Sequence, residues 1–151
     1  LVKDKRLTPV SRVEQSVTYH DPCYLGRHNR IFTPPREVLL GIPGMRVQEM
    51  ERTRERSFCC GAGGARMWMD ENLGSRINLN RTDEALAQQT DVVAAACPFC
   101  ITMLGDGIAQ RQAEGLTRQV EVTDIAELLL RSVRPDQAPE PAEPAGATPV
   151  S

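Results

Sequence analysis

The stretch DVVAAACPFC, residues 91–100, decides the fold of this chain. It begins with a nearly all-apolar run of small and β-branched residues, which is typical of a central strand buried on both faces. Pro98 suits the first position of a helix, because proline lacks the N–H group that a helix start leaves unpaired. Cys97 is then the helix cap, and Cys100 lies in the first turn. A strand that leads directly into a helix predicts an α/β domain.

The alternation of strand and helix continues on both sides of this stretch. The predicted strands cover 17–19, 45–50, 91–96 and 120–122, and the predicted helices begin near Thr33, Gly64, Pro98 and Asp124. Thr33 and Asp124 are expected to cap their helices, and the region after Gly64 is expected to be a long helix, broken near Gly74, that runs to about Gln89. Alternating strands and helices predict a parallel sheet covered on both faces, a small Rossmann-like, doubly wound domain.

The ends of the chain differ in composition from its centre. Residues 1–15 are polar and predict a linker or incoming arm, and residues 16–133 form the expected folded domain. Residues 134–151 contain five prolines in 18 positions and no aromatic residue, which predicts a disordered tail. Because the chain opens with leucine and not methionine, we expect it to begin inside a longer polypeptide.

The charge and hydropathy of the chain exclude several classes of function. The formal net charge is −2, and 40% of the residues are hydrophobic, so nothing favours nucleic acid or an anionic membrane surface as a partner. The longest apolar run, 92–97, is far shorter than the ~20 residues of a membrane-spanning helix. We therefore expect no membrane segment in this chain and a cytoplasmic location, at the cytoplasmic face of the membrane if upstream segments anchor it.

The five cysteines are the sharpest clue to function. An odd number cannot pair completely within the chain, and clustered cysteines in a reducing compartment are more often metal ligands or redox groups than disulfides. Each follows a predicted strand: Cys23 the first, Cys59 and Cys60 the second, Cys97 and Cys100 the third. Since the carboxyl ends of parallel strands share one edge, we expect all five sulfur atoms in one crevice.

The arrangement of these cysteines favours an iron–sulfur cluster, which thiolates hold. Cys97 and Cys100 have the C-x₂-C spacing that lets two sulfurs of one turn reach a common centre, next to unpaired N–H groups and the positive end of the helix dipole. Cys59 and Cys60 are adjacent, so their side chains point in different directions, which a single tetrahedral ion accommodates poorly.

A glycine-rich loop follows the adjacent cysteines. We expect Gly61, Gly63 and Gly64 to adopt positive φ and to turn backbone N–H groups toward sulfide. The helix predicted to begin near Ala65 would bring a second helix N-terminus to the same site.

The spacing of these motifs resembles the cysteine-rich CCG domain of heterodisulfide reductase and related iron–sulfur oxidoreductases. The matching stretches are HDPCYLGR at 20–27, CCGAGG at 59–64 and CPFC at 97–100, with 35 and 36 residues between the cysteine motifs. More loosely, GGARMWM at 63–69 and the Pro/Ala/Glu tail resemble the C-terminal part of actinobacterial membrane oxidoreductases linked to electron-transfer flavoprotein.

This resemblance implies a [4Fe–4S] cluster, in some members non-cubane, with Cys23, Cys59, Cys60, Cys97 and Cys100 as ligands. It also implies electron transfer to or from a disulfide, a quinone or a flavoprotein, with other iron–sulfur or flavin domains as partners. The CCG-bearing polypeptide of heterodisulfide reductase holds two CCG motifs and this chain one, so the disulfide substrate is in doubt.

The cysteine pattern is also compatible with three other kinds of site. They are a structural zinc site in a non-catalytic interaction module, a C-x-x-C dithiol pair, and ordinary reduced thiols. His20, His28 and Arg27 lie beside the first cysteine motif. They are candidates for tuning the site or carrying protons, or they are simply hydrogen-bonded loop residues.

Overall fold

The computed structural model describes residues 1–2, 4–69 and 74–133 and shows alternating strands and helices along this part of the chain. The strands are β1 (Ser16–Tyr19), β2 (Arg46–Gln48), β3 (Val92–Ala95) and β4 (Glu121–Asp124), and the α-helices are α1 (Thr33–Leu40), α2 (Ile77–Leu86), α3 (Pro98–Ala113) and α4 (Ile125–Val133). A π-helical turn at Tyr24–His28 and 3₁₀ turns at Arg54–Arg56 and Arg66–Trp68 lie in the loops.

The four strands form one parallel sheet in the order β2-β1-β3-β4. Val17 of β1 pairs with Val47 of β2 on one side and with Val92 of β3 on the other, and Val93 pairs with Val122 of β4. All four residues of β3 are buried, as the apolar run predicts for a central strand.

Helices cover both faces of this sheet, which confirms the predicted α/β doubly wound fold. On one face, Leu39 of α1 and Leu128 of α4 pack with Val17, Tyr19 and neighbouring core residues. On the other face, helices α2 and α3 contribute a second apolar cluster that includes Ala85, Leu104 and Ile108 around Val93. Adjacent residues of a strand reach opposite clusters because side chains alternate across a sheet.

Two local predictions about helices need correction. Thr33 is the first residue of α1, and Phe32 takes the cap position. The helix expected from Gly64 onward is wrong in its first part, since the chain makes only a three-residue 3₁₀ turn at Arg66–Trp68. Ala65 has a left-handed φ of 61°, and Met69 is extended, so no α-helix N-terminus begins there. Residues 70–73 lie outside the described part.

The segment before β1 runs along the domain as an arm. The N–H of Val13 donates to the carbonyl of Pro43 at 2.8 Å, and the N–H of Ser11 donates to the carbonyl of Ser132 at 2.9 Å. The side chain of Val13 packs against the cluster under α1 and α4. The domain boundaries stay predictions, and the tail at 134–151 is outside the described residues. Among the described helices, none has the length and apolar character needed to cross a membrane.

Candidate metal centre

The carboxyl edge of the sheet carries the cysteines on three separate segments. Cys23 lies four residues beyond the end of β1, and Cys97 caps α3, whose first turn contains Cys100. Cys59 and Cys60 lie in the loop that precedes Gly61. Cys60 and Cys100 are buried and the other three are half-buried, and all five are free thiols.

Four of these thiols form a continuous chain of side-chain contacts. The side chain of Cys23 interacts with that of Cys59, Cys59 with Cys60, and Cys60 with Cys100. Cys97 adjoins the same group, because it packs against an apolar cluster that includes Cys60, Cys100 and Met103. The three cysteine-bearing segments thus meet in the folded chain, while a shared crevice for all five sulfurs stays a prediction.

Crowding of the thiols changes their protonation. The neighbouring thiol of Cys100 raises the pKa of Cys60 to about 11, and burial adds to this effect. The neighbouring thiol of Cys60 raises the pKa of Cys59, and burial raises that of Cys23. Neighbouring thiolates repel one another, and a cation among the sulfurs offsets this repulsion. This donor set suits a metal centre, which binds thiolates and displaces their protons.

The backbone of the glycine loop acts on two of these sulfurs. The N–H of Gly61 donates to Sγ of Cys59 at 3.3 Å, and the backbone of Ala62 lowers the pKa of Cys60. Gly61 has a φ of +94°, and a Cβ there would lie 3.2 Å from the backbone nitrogen of Asn78. Gly64 also has positive φ, at +66°, whereas Gly63 does not, so the expectation is wrong for Gly63.

A buried arginine holds the loop of the first cysteine. Arg36 in α1 donates to both carboxylate oxygens of Asp21, at 2.8 and 2.9 Å. Asp21 also accepts from the N–H of Arg54 at 2.8 Å, and its carbonyl accepts from the Ser57 hydroxyl at 3.2 Å. The loop before Cys59 is therefore attached to the Asp-Pro-Cys turn. The sequence pattern gives no sign of this network, because its members lie far apart along the chain.

Arg27 makes a second link between the same two loops. Its guanidinium donates to the carbonyl of Ser57, two residues before Cys59. Its positive charge also offsets part of the burial that raises the pKa of Cys23. The side chain of Arg27 thus lies close enough to the thiols to act on their charge.

The two histidines have different surroundings. His20 has no exposed surface, and its Nδ1 accepts a hydrogen bond from Nε of Arg81 at 3.0 Å. Burial, reinforced by the Arg81 charge, lowers the pKa of His20 to about 3, so its ring is neutral near pH 7. A ring nitrogen of His20 and the sulfurs of Cys60 and Cys100 lie within 4.8 Å of one another. His28 is exposed, with its ring against Tyr24.

The structure is thus a parallel α/β domain with a group of free thiols at the carboxyl edge of its sheet. The profile of the CCG family, described as a cysteine-rich domain, matches residues 17–105. The chain belongs to this family, and the resemblance expected from the cysteine motifs is confirmed.

Proteins of several organisms are similar in sequence to this chain over most of its length. It is 50% identical over 133 residues to a probable iron-sulfur-binding oxidoreductase, FadF, of Bacillus subtilis, covering 88% of this chain and 18% of the relative. It is 41% identical to an EtfAB:quinone oxidoreductase of Syntrophomonas wolfei, covering 88% and 19%. It is 38% identical to one polypeptide of a dihydromethanophenazine:CoB–CoM heterodisulfide reductase of Methanosarcina acetivorans, covering 88% and 31%. The chain thus spans between 18% and 31% of the length of these relatives.

Proposed function

We propose that this chain is the iron–sulfur domain of a larger oxidoreductase. The observation that carries the proposal is the chain of thiol contacts that joins three segments at one edge of the sheet. The names of its relatives support the same chemistry, since they include an iron-sulfur-binding oxidoreductase and a heterodisulfide reductase. In this proposal the domain carries electrons to or from a disulfide, a quinone or a flavoprotein.

The proposed ligands are the five cysteines, and the proposed cofactor is a [4Fe–4S] cluster. Structural zinc uses four ligands in a tetrahedron, which leaves one of five neighbouring thiols without a role. A cluster with several irons has more positions for sulfur, and a fifth thiolate favours a non-cubane form. The proposed ligands are Cys23, Cys59, Cys60, Cys97 and Cys100.

The protein contributes burial, hydrogen bonds and charge to this site. When bound, the cluster supplies one-electron transfer at a potential that depends on its surroundings. Burial of Cys60 and Cys100 keeps water from the inner part of the site. The N–H of Gly61 donates toward sulfur, and the backbone of Ala62 lowers the pKa of Cys60, so both stabilise negative charge there. In the proposal, Gly61 chiefly lets the backbone come close to the cluster, and Gly64 forms the turn.

The proposed partners are other iron–sulfur or flavin domains of the same enzyme. Three aromatic residues are exposed: Tyr24 and Phe99, which adjoin cysteines in the sequence, and Trp68, in the 3₁₀ turn after the glycine loop. Exposed aromatic side chains are enriched at protein interfaces, so this edge suits contact with a redox domain. The relative from Syntrophomonas wolfei favours an electron-transfer flavoprotein as donor. We place this activity in the cytoplasm, at the membrane face if other segments anchor the enzyme.

A redox titration of the anaerobically purified protein, followed by electron paramagnetic resonance, tests this function. We expect a one-electron midpoint and a spectrum that Cys60→Ser abolishes or alters. Thr102→Ala, a change at an exposed position of α3 two residues beyond Cys100, is the matched control and leaves the spectrum unchanged. Zinc has no redox chemistry, so a protein without any midpoint would support a structural zinc module and contradict the proposal.

A further inference from the structure

A buried pair of side chains, His20 and Arg81, lies beside the inner cysteines. His20 follows β1 directly, and its backbone N–H donates to the carbonyl of Ala94 at 2.8 Å, which fixes the base of the side chain to the central strand. Arg81 belongs to α2 and, like His20, has no exposed surface. Their contact, Nε of Arg81 to Nδ1 of His20 at 3.0 Å, joins residues 61 positions apart in the sequence.

This contact determines which ring nitrogen of His20 carries the proton. A guanidinium group has five N–H donors and no acceptor, so Nδ1 of His20 must offer its lone pair. A neutral imidazole has one proton, which is then on Nε2. With its proton in place, Nε2 has no lone pair for a metal ion, so proximity to Cys60 and Cys100 does not make His20 a ligand.

Arg81 is itself held in place on its other side. Its Nη1 donates to the carboxylate of Glu84 at 2.9 Å and to the carbonyl of Arg52 at 2.9 Å. The side chain of Glu84 is nearly buried and also binds the backbone N–H of Arg52. The guanidinium is therefore fixed in orientation, and with it the tautomer of His20.

The Nε2 atom of His20 is buried and has no hydrogen-bond partner among the described residues. Leaving a buried donor unpaired is energetically costly, so such groups call for a physical reason. A ring nitrogen of His20 lies within 4.8 Å of the sulfurs of Cys60 and Cys100, and sulfur is a hydrogen-bond acceptor. A sulfur of the metal centre is the acceptor that this arrangement offers.

We propose that Nε2–H of His20 donates a hydrogen bond to a sulfur of the metal centre and that Arg81 is the positioning residue that holds His20 in this tautomer. The inference rests on the proposed function, because it requires a cluster at the cysteines. Hydrogen bonds to sulfur are one of the factors that set the potential of iron–sulfur clusters. Donation stabilises the reduced, more negative state, so it raises the midpoint potential.

Two substitutions at His20 separate hydrogen bonding from packing. His20→Leu removes both ring nitrogens at similar volume. His20→Gln keeps an oxygen that accepts from Arg81 and an N–H that donates on the far side of the same amide. We expect His20→Leu to raise the ratio of oxidised to reduced cluster about tenfold at a fixed potential. For one electron, this corresponds to a midpoint potential that is lower by about 59 mV. His20→Gln should stay close to the wild type.

The control is His28→Gln, which changes the exposed histidine of the neighbouring turn and should leave the midpoint unchanged. A His20→Leu protein with the iron content and the midpoint of the wild type would overturn this inference alone. A wild-type protein that contains no iron would overturn the proposed function and this inference with it.

A spectroscopic measurement on a protein that retains His20 covers the case in which His20→Leu fails to fold. The chain has two histidines, so ¹⁵N-histidine labelling of His28→Gln reports on His20 alone. Electron–nuclear double resonance of the reduced protein should show a weak ¹⁵N coupling and a proton coupling that disappears in D₂O. A strong ¹⁵N coupling would identify His20 as a ligand. The absence of both couplings would show that His20 donates no hydrogen bond to the sulfur. Either result overturns the proposal.

Discussion

Arg36 and Asp21 form a two-point ion pair in which Nη1 donates to Oδ1 at 2.8 Å and Nη2 to Oδ2 at 2.9 Å, with both side chains almost fully buried. Burial alone would raise the pKa of Asp21, but the hydrogen bonds from Arg36 and from the Arg54 N–H outweigh it and lower the pKa. The ionised carboxylate thus joins α1 to the turn that carries Cys23 and to the loop that leads to Cys59.

We expect Asp21→Asn to lower the free energy of unfolding by about 3 kcal/mol, because it removes one charge of a buried, hydrogen-bonded pair. Urea denaturation measures this change, and iron retention in the same preparations should fall. Asp83→Asn is the matched control, since Asp83 accepts two hydrogen bonds from Arg111 at the exposed surface. A loss of stability as large for Asp83→Asn as for Asp21→Asn would contradict this role of burial.

The glycines after the adjacent cysteines should differ in their tolerance of alanine. Gly61→Ala combines a left-handed backbone with a Cβ at 3.2 Å from both Asn78 and Ile77, so we expect a loss of about 2 kcal/mol. Nothing lies within 4 Å of a Cβ added at Gly63 or Gly64. Gly64→Ala therefore adds only backbone strain, and Gly63→Ala adds neither backbone strain nor a close contact. Thermal melting should rank the variants in this order. Equal effects at Gly61 and Gly63 would contradict the geometry of the loop.

Two glycines in α3 should respond to alanine with opposite signs. A Cβ at Gly107 would lie 2.1 Å from the Thr82 hydroxyl in α2, so Gly107→Ala forces two packed helices apart at a cost of about 1–3 kcal/mol. Gly105 has open space around it, and Gly105→Ala should add about 1 kcal/mol because alanine favours the helix. Equilibrium unfolding of the two variants checks the signs, and a Gly107→Ala protein as stable as the wild type would contradict this packing of α2 on α3.

Glu84 makes part of the stability of the domain dependent on pH. Burial alone would raise its pKa, but hydrogen bonds from Arg52 and Arg81 lower it below its ordinary value of 4.5. A lowered folded-state pKa contributes stability above the unfolded pKa, and this contribution disappears as the pH falls through the folded value. We expect Glu84→Gln to cost about 2 kcal/mol at pH 7, with the difference from wild type shrinking below about pH 4.5. Unfolding curves between pH 3 and 7 measure it, and a difference independent of pH would contradict this assignment.

The alternation of strands and helices and the position of the cysteines could be predicted because they depend on local patterns. The apolar run 92–95 is the central strand, and Pro98 begins α3 next to the cap residue Cys97. The edge shared by parallel strands then follows from topology, and it brings the cysteine segments together. The roles of these residues as ligands stay predictions.

The parts that failed or were missed depend on the arrangement in space. The helix expected after Gly64 is replaced by a 3₁₀ turn, because Ala65 adopts a left-handed conformation that no residue type there demands. Arg36 and Arg81 carry charges that are usually found at the surface, and their partners Asp21 and His20 lie 15 and 61 positions away. Only the folded chain identifies such pairs, because their burial depends on the packing of α1 and α2.

The iron and acid-labile sulfide content of the anaerobically purified protein tests the central claim most directly. We expect a brown protein with about four iron atoms and about four sulfides per chain. A colourless protein that holds zinc and no sulfide after the same purification would contradict it.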